Sequence, residues 1–160
     1  LNRLSERGRH ILLVPHAVSD KRINVVMVTN MTNIGNTFVI PTEQASSYTT
    51  AKGYQKSANI STILIDDLIP LIGAHSPVVM KLDVEGHECH ALSGAWRLLQ
   101  ALDVVLIYME TLFWSDSRDC MADHMKRLAN EFKYTLRALD GSRIDMQHLP
   151  TDIMWIKRRS

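Results

Sequence analysis

The segment from Pro77 to Glu110 limits the possible fold more than any other part of the chain. It holds two apolar runs, "PVVMKLDV" and "DVVLIYME". Between them, apolar residues recur at three- and four-residue steps from about His87 to Leu102, which predicts an amphipathic helix. Two strands joined by a helix lie parallel in one sheet, since parallel neighbours need a long crossover connection. Because both runs are apolar almost throughout, we expect a buried sheet that is covered by helices on both faces.

The other runs extend this α/β pattern in both directions. Further strands are predicted at "HILLV", "INVVMVTN" and "FVIP", with a hairpin turn at Asn33-Ile34-Gly35-Asn36, and a second helix over residues 116–132. The closing runs "YTLRAL" and "DIMWIKR" have no helix between them, which predicts an antiparallel pair. The expected fold is therefore a mainly parallel sheet with an antiparallel C-terminal edge hairpin. At 160 residues, the chain fits a single domain over residues 1–160.

Composition excludes several classes of partner. Lys and Arg number 18 against 17 Asp and Glu, so the chain lacks the basic surface that nucleic-acid binding requires. No apolar run is long enough to span a bilayer. Cys89 and Cys120 are far apart in the sequence and indicate neither a disulfide framework nor a paired metal-ligand spacing. The chain begins with Leu1, so we expect a fragment, whose localisation is undecided and would be cytoplasmic if nothing upstream targets it.

Acidic residues follow both apolar runs of the central segment. Asp83 comes at the end of the first strand and Glu110 at the end of the second. Ligands of open α/β sheets bind beyond the carboxyl ends of the strands, so we expect both carboxylates in one crevice. For Asp83 a functional role is favoured, whereas Glu110 fits a solvated strand end equally well. Glu88 is better explained by the positive end of the helix that follows.

The stretch "HECH" at His87–His90 resembles a metal-ligand cluster. It is not the HExxH arrangement, because its two histidines are three residues apart and its glutamate is misplaced. A metal-dependent hydrolase that uses "DVEGHECH" is therefore the least favoured hypothesis, and no metal is predicted. His87 is a candidate site residue in the first helical turn, whereas Cys89 and His90 are expected to serve packing. His16 is either a residue of the crevice mouth or a loop histidine.

The stretch "VVMKLDVEGHECHALSGA" resembles the signature of FkbM-type methyltransferases, in which a strand ends in Lys-x-Asp-x-Glu-Gly before a helix. The matching residues are Lys81, Asp83, Glu85, Gly86, Glu88, Leu92, Gly94 and Ala95. Three weaker features stand in the family's order: "HAVSD", "TILIDDLIP" and "LIYMET". Together they cover about Ile11 to Thr111.

The resemblance implies a Rossmann-like class I fold and the cofactor S-adenosylmethionine. It implies that "HILLV", "PVVMKLDV" and "DVVLIYME" are the third, fourth and fifth strands, and that the first one or two β-α units, with the glycine-rich cofactor loop, are absent. It assigns cofactor contacts to His16, Ala17 and Asp83. It places Asp83, Glu85, His87 and Glu110 at the reacting groups and the acceptor. Asn33 and Gly35 match a hairpin that helps to cover the acceptor.

Two functions follow from this resemblance. The first is S-adenosylmethionine-dependent methylation of a hydroxyl on a small molecule, a sugar or a lipid. The second is a non-catalytic methyltransferase-like module that acts through protein contacts, because the glycine-rich loop is missing. A truncated sheet would also expose an edge or apolar face, so self-association through that face is expected.

Overall fold

The chain forms three β-sheets and three α-helices within the part that the computed structural model describes, which comprises residues 2–6, 9–47, 53–73, 76–111, 118–145 and 148–158. The strands are β1 (Asn2–Glu6), β2 (Arg9–Leu13), β3 (Ala17–Val18), β4 (Asn24–Asn30), β5 (Asn33–Pro41), β6 (Tyr54–Lys56), β7 (Ile60–Ile63), β8 (Val78–Leu82), β9 (Val104–Glu110), β10 (Tyr134–Ala138) and β11 (Asp152–Lys157). The α-helices are α1 (Glu88–Ser93), α2 (Trp96–Ala101) and α3 (Arg118–Asn130). Two 3₁₀ segments lie at Thr42–Ser47 and Ile65–Leu71. None of the described helices is long and apolar enough to cross a membrane.

The four-stranded sheet contains the predicted strand–helix–strand unit. Its order is β10-β11-β9-β8, with β8 and β9 parallel and the other two pairings antiparallel. The predicted antiparallel pairing of the last two strands is confirmed, with β10 at the edge. Its apolar faces and the helices bury one large cluster, which includes Leu92, Leu98, Ile107, Leu128 and Trp155.

The helix predicted from His87 to Leu102 is divided into α1 and α2 at Gly94 and Ala95. A Cβ atom on Gly94 would lie 2.2 Å from the carbonyl oxygen of Ser19, so only glycine permits this approach. The Asp66 carboxylate accepts a hydrogen bond of 2.7 Å from the backbone N–H of Leu98 in the first turn of α2. The contacts with Ser19 and Asp66 therefore determine where α2 begins.

The five-stranded sheet is built mainly from antiparallel strands. β4 pairs with β5, β6 and β7, and the short strand β3 runs parallel to β7. Across the described residues only two strand pairings are parallel and six are antiparallel, so the expected mainly parallel sheet is not found. The parallel prediction holds for β8 and β9, because a helical connection separates them.

Two local predictions are wrong. The hairpin turns at Met31 and Thr32, with Asn33 and Gly35 already in β5. The Asn30 side chain accepts hydrogen bonds from the backbone N–H and the hydroxyl of Thr32, which closes the turn without a glycine.

The run "HILLV" is not a buried third strand. β2 pairs antiparallel with β1 in a separate two-stranded sheet. Ile11 is 58% exposed and Leu13 is 55% exposed. An apolar run predicts a strand, but it does not identify the neighbours of that strand.

Candidate functional site

A cavity of about 590 Å³ lies along β8 and beyond its carboxyl end. All five residues of β8 line it. Successive residues of a strand point to opposite faces, so a cavity that contacts all five runs along the strand edge. β8 is the terminal strand of its sheet among the described residues. The cavity therefore joins a free sheet edge to the strand end where ligands of α/β sheets bind.

Four of the predicted site residues line this one cavity: His16, Ala17, Asp83 and His87. The sequence separates the first two from the last two by 66 to 71 positions, and the fold brings β3 and the end of β8 together. Asn33 and Gly35 do not belong to the wall that the described residues form. The same strand, β5, contributes Thr37 and Val39 instead.

Three carboxylates meet at the ends of β8 and β9. One oxygen from each of Asp83, Glu85 and Glu110 lies within 4.8 Å of the others. The predicted proximity of Asp83 and Glu110 is confirmed, because parallel neighbours end at the same edge of the sheet. Glu85 enters the cluster through a left-handed backbone conformation, with φ of 51°.

Burial and, to a smaller extent, mutual repulsion raise the pKa of two carboxyls in this cluster. Burial raises the pKa of Glu110, and the Asp83 and Glu85 charges raise it further. Burial also raises the pKa of Glu85, with further contributions from Asp83 and Glu88. Both carboxyls therefore bind a proton more readily than an ordinary glutamate.

Sequence reasoning gave no role to the polar residues that surround the carboxylates. Lys81 Nζ lies 2.7 Å from Asp83 Oδ2 and 5.7 Å from the ring centre of Tyr108. The Tyr108 hydroxyl donates a hydrogen bond to Asp152, and this bond raises the pKa of Tyr108 to about 12. Because side chains alternate along a strand, Tyr108 lies on the same face of β9 as Glu110, so the sequence alone could have indicated Tyr108. Asp152 depends on the β11 register, in which it lies opposite Glu110, and sequence does not reveal that register.

His87 links the cavity to the segment that follows β3. Its Nε2 lies 3.2 Å from the hydroxyl of Ser19, and its ring stacks on His90 with 4.6 Å between centroids. Burial, with a smaller contribution from the adjacent His90, lowers the pKa of His87 to about 4. The ring is therefore neutral at neutral pH and a weak base.

The other two polar residues of "HECH", His90 and Glu88, have different contacts. His90 Nδ1 lies 3.2 Å from Asp20 Oδ1, whereas Glu88 is only 2% exposed and folds back on the turn before it. Its carboxylate accepts hydrogen bonds from the backbone N–H groups of Val84 and Gly86. Glu88 thus shapes the loop that carries Asp83 and His87.

The "TILIDDLIP" segment contacts the chain after β3, and its Ile65 and Leu68 also line the cavity. The Thr62 hydroxyl donates to the carbonyl oxygen of Lys21 and accepts from the N–H of Ile23. Asp67 forms an ion pair of 2.6 Å with Arg22 and accepts a hydrogen bond from the Leu64 N–H. These polar residues hold the chain after β3 beside α2.

The Methyltransferase FkbM domain model matches residues 2–136. The chain belongs to this family. No curated protein and no solved structure matches it significantly. The match to the FkbM family includes the cavity and its carboxylates, whereas β11, which supplies Asp152, lies beyond it.

Proposed function

We propose that this FkbM-family chain is the acceptor-side part of an S-adenosylmethionine-dependent methyltransferase with a Rossmann-like class I sheet. Its substrate would be a hydroxyl group on a small molecule, a sugar or a lipid. The observation that carries the proposal is the position of Asp83, which lies at the carboxyl end of β8 in a cavity that His16, Ala17 and His87 also line.

The cavity fits one side of the cofactor. Its volume lies in the range of about 300–1,000 Å³ that is usual for small-molecule sites, and most of its lining is apolar. The Asp83 carboxylate suits an ammonium group, such as the amine of the methionine moiety, and His16 and Ala17 would lie against the adenine. Among the described lining residues there is no glycine and no second carboxylate for the ribose hydroxyls.

Among the described residues no strand pairs with the outer edge of β8, and this edge indicates where the other half of the cofactor site would come from. An unpaired edge strand presents backbone N–H and C=O groups that another strand can bind. We propose that a strand and glycine-rich loop outside this sequence pair with β8 and complete the cofactor site. The isolated chain would then bind S-adenosylmethionine weakly or not at all.

The carboxylates beside the cavity suit the acceptor chemistry. When bound, S-adenosylmethionine supplies an electrophilic methyl group. The chain's own residues would align the acceptor hydroxyl and take up its proton. Glu110 and Glu85 are the better bases, since their raised pKa values lie closer to neutrality. His87 would line the site as a neutral ring.

The test uses Asp83 in the product of the complete gene. Binding of S-adenosylmethionine is measured by calorimetry for the wild type, for Asp83→Asn and for the matched control Asp123→Asn, which changes an exposed carboxylate of α3. We expect Asp83→Asn to weaken binding about tenfold or more, the effect of losing one charge-assisted hydrogen bond of roughly 1.5–3 kcal/mol. Equal binding by all three proteins would remove Asp83 from the cofactor site.

Methyl transfer is measured on the same proteins and on Glu110→Gln. Label from methyl-labelled S-adenosylmethionine is followed into a panel of sugar, lipid and small-molecule alcohols. We expect Glu110→Gln to lower the transfer rate while cofactor affinity stays within twofold. A rate that does not change would exclude Glu110 as the base.

A non-catalytic interaction module is the second candidate, and the open edge of β8 favours it. Val79 in this strand is 66% exposed, so apolar surface lies beside that edge. If the complete gene product binds no S-adenosylmethionine, the module is supported and the enzyme proposal fails. Self-association of the isolated chain through this edge is a related proposal. Light scattering should show dimers that Val79→Lys disperses, and a monomer at high concentration would contradict it.

A further inference from the structure

Two cysteines and a histidine come together between α1 and α3. Cys89 lies in α1, whereas Cys120 and His124 lie one turn apart on α3. His124 Nε2 is 3.4 Å from the sulfur of Cys120 and 3.8 Å from that of Cys89. The two sulfurs form a disulfide between residues whose Cα atoms are 6.1 Å apart. The expectation from the spacing that these cysteines form no disulfide is therefore wrong, because a separation of 31 residues gives no indication of contact between helices.

We propose that the reduced form of this cluster binds one Zn²⁺ ion through Cys89, Cys120 and His124. Thiolate and imidazole are the preferred ligands of zinc, with Zn–S bonds of about 2.3 Å and Zn–N bonds of about 2.0–2.1 Å. From these bond lengths, a sulfur and a nitrogen on one tetrahedral ion lie about 3.5 Å apart. The two observed sulfur–nitrogen distances bracket that value.

The helices place the donors without any loop rearrangement. Residues four apart on a helix share one face, so Cys120 and His124 both point toward α1. Cys89 is buried, whereas the other two donors are only partly buried, which leaves a route for an ion. His124 Nε2 also lies 2.9 Å from the Ser93 hydroxyl and 3.1 Å from the Cys89 carbonyl oxygen. The ion would replace these contacts at Nε2, and the ring proton would move to Nδ1.

Zinc binding and the disulfide exclude each other, because zinc binds thiolates. A phosphine reductant breaks the S–S bond by taking up one oxygen atom from water, which leaves a phosphine oxide and two thiols. Binding of Zn²⁺ then displaces the two thiol protons. On one tetrahedral ion the sulfurs would lie about 3.8 Å apart, a small movement between side chains of adjacent helices.

Either crosslink would fasten α1 to α3. α1 begins directly after the loop that carries Asp83, Glu85 and His87, so the cluster holds one end of that loop in place in both redox states. This inference does not depend on methyl transfer, and its test needs neither cofactor nor acceptor.

The test titrates the 160-residue chain with Co²⁺, a spectroscopic substitute for zinc. The chain is reduced with a phosphine under nitrogen, and its thiols are counted before the titration. We expect one Co²⁺ per chain, with a thiolate-to-cobalt charge-transfer band and the visible bands of a tetrahedral ion, both removed by Zn²⁺. The oxidised chain should give no such bands.

Variants separate this site from adventitious binding. His124→Gln keeps the disulfide for folding and should weaken binding by more than about 100-fold, beyond what loss of a supporting residue causes. Cys120→Ser removes one of the two sulfur ligands and should therefore weaken the thiolate-to-cobalt charge-transfer band. The matched control His148→Gln changes an exposed histidine paired with Asp145 and should bind as the wild type does.

Circular dichroism covers the case in which reduction unfolds the chain. Refolding on addition of Zn²⁺ would support the site, and unfolding that Zn²⁺ does not reverse would overturn it. The proposal also fails if the folded, fully reduced wild type shows no sulfur-to-cobalt band, or if His124→Gln binds cobalt as tightly as the wild type.

Discussion

The four-stranded and the five-stranded sheet differ in how much apolar side chain each one buries. The first packs against α1, α2 and α3 over a cluster that includes Leu92, Ile107 and Trp155. The second buries a small cluster of Val26, Val28 and Ile40. Burial of apolar surface is the main favourable term in folding, so most of the stability should reside in the four-stranded sheet. The catalytic candidates at the strand ends belong to that sheet, whereas the five-stranded sheet contributes one wall of the cavity.

Matched isoleucine truncations test this difference most directly. Ile107 is fully buried in β9 and Ile40 is buried in β5. Replacing a buried isoleucine with alanine costs about 2–5 kcal/mol, depending on how far the site can collapse. We expect Ile107→Ala to fall near the upper end and Ile40→Ala near the lower end, as measured by urea unfolding. Equal losses would show that both sheets share one core.

Gly94 tests how tightly the two regions are joined. Its position against the Ser19 carbonyl leaves no room for a methyl group, so Gly94→Ala must push the segment after β3 away from the helices. Overpacking of this kind costs about 1–3 kcal/mol, which thermal unfolding would detect. Gly73→Ala is the control, because nothing lies within 4 Å of its added Cβ. If both variants melt alike, the close contact at Gly94 is not a constraint.

Asp66 makes a second connection between the regions. Its carboxylate accepts the Leu98 N–H at the start of α2, a capping interaction worth about 0.5–2 kcal/mol. We expect Asp66→Ala to lower the free energy of unfolding by about 1 kcal/mol. Asp66→Asn keeps an acceptor oxygen and should cost less. An equal loss in the two variants would assign the effect to charge and not to the cap.

His87 should make the contact between the two regions sensitive to acid. Of the four sets of substitutions, this one should have the smallest effect, because the His87 ring is partly exposed and water screens its charge. The folded pKa of about 4 lies below the ordinary 6.5, so the unfolded chain binds the extra proton between these values. Stability from this group is therefore present above pH 6.5 and is lost as the pH falls toward 4. Melting temperatures across that range should fall less steeply for His87→Gln than for the wild type. The exposed-residue variant His148→Gln should keep the wild-type slope.

The parts of the fold that sequence predicted are those in which local pattern decides the structure. The apolar runs predicted β8 and β9, and the helical spacing between the runs predicted that the two strands are parallel. From that alone, Asp83 and Glu110 were expected to be neighbours. The closing pair β10 and β11 was predicted in the same way, from the lack of a helix between two apolar runs.

The wrong predictions concern strand pairing, turn closure and side-chain packing, which residue type and spacing do not determine. The pattern of "HILLV" does not show that β2 pairs with β1, and the Asn30 side chain moved the turn that Gly35 suggested. Asp152 and the Cys89–Cys120 pair depend on register and on helix packing, for which neither residue type nor spacing gives a signal. The roles of Asp83, Glu85, His87 and Glu110, and those of Asn33 and Gly35, stay predictions.

The position of β11 between β9 and β10 has a consequence for biosynthesis. β11 is made after both neighbours, so the ribosome completes two strands whose shared partner does not yet exist. About 40 residues separate the end of β9 from the start of β11, which takes roughly 2–8 seconds at about 5–20 residues per second. During that interval the nascent chain presents the unpaired edge of β9 and, once residue 138 has been added, that of β10 as well, so chaperones that shield such edges would have time to act.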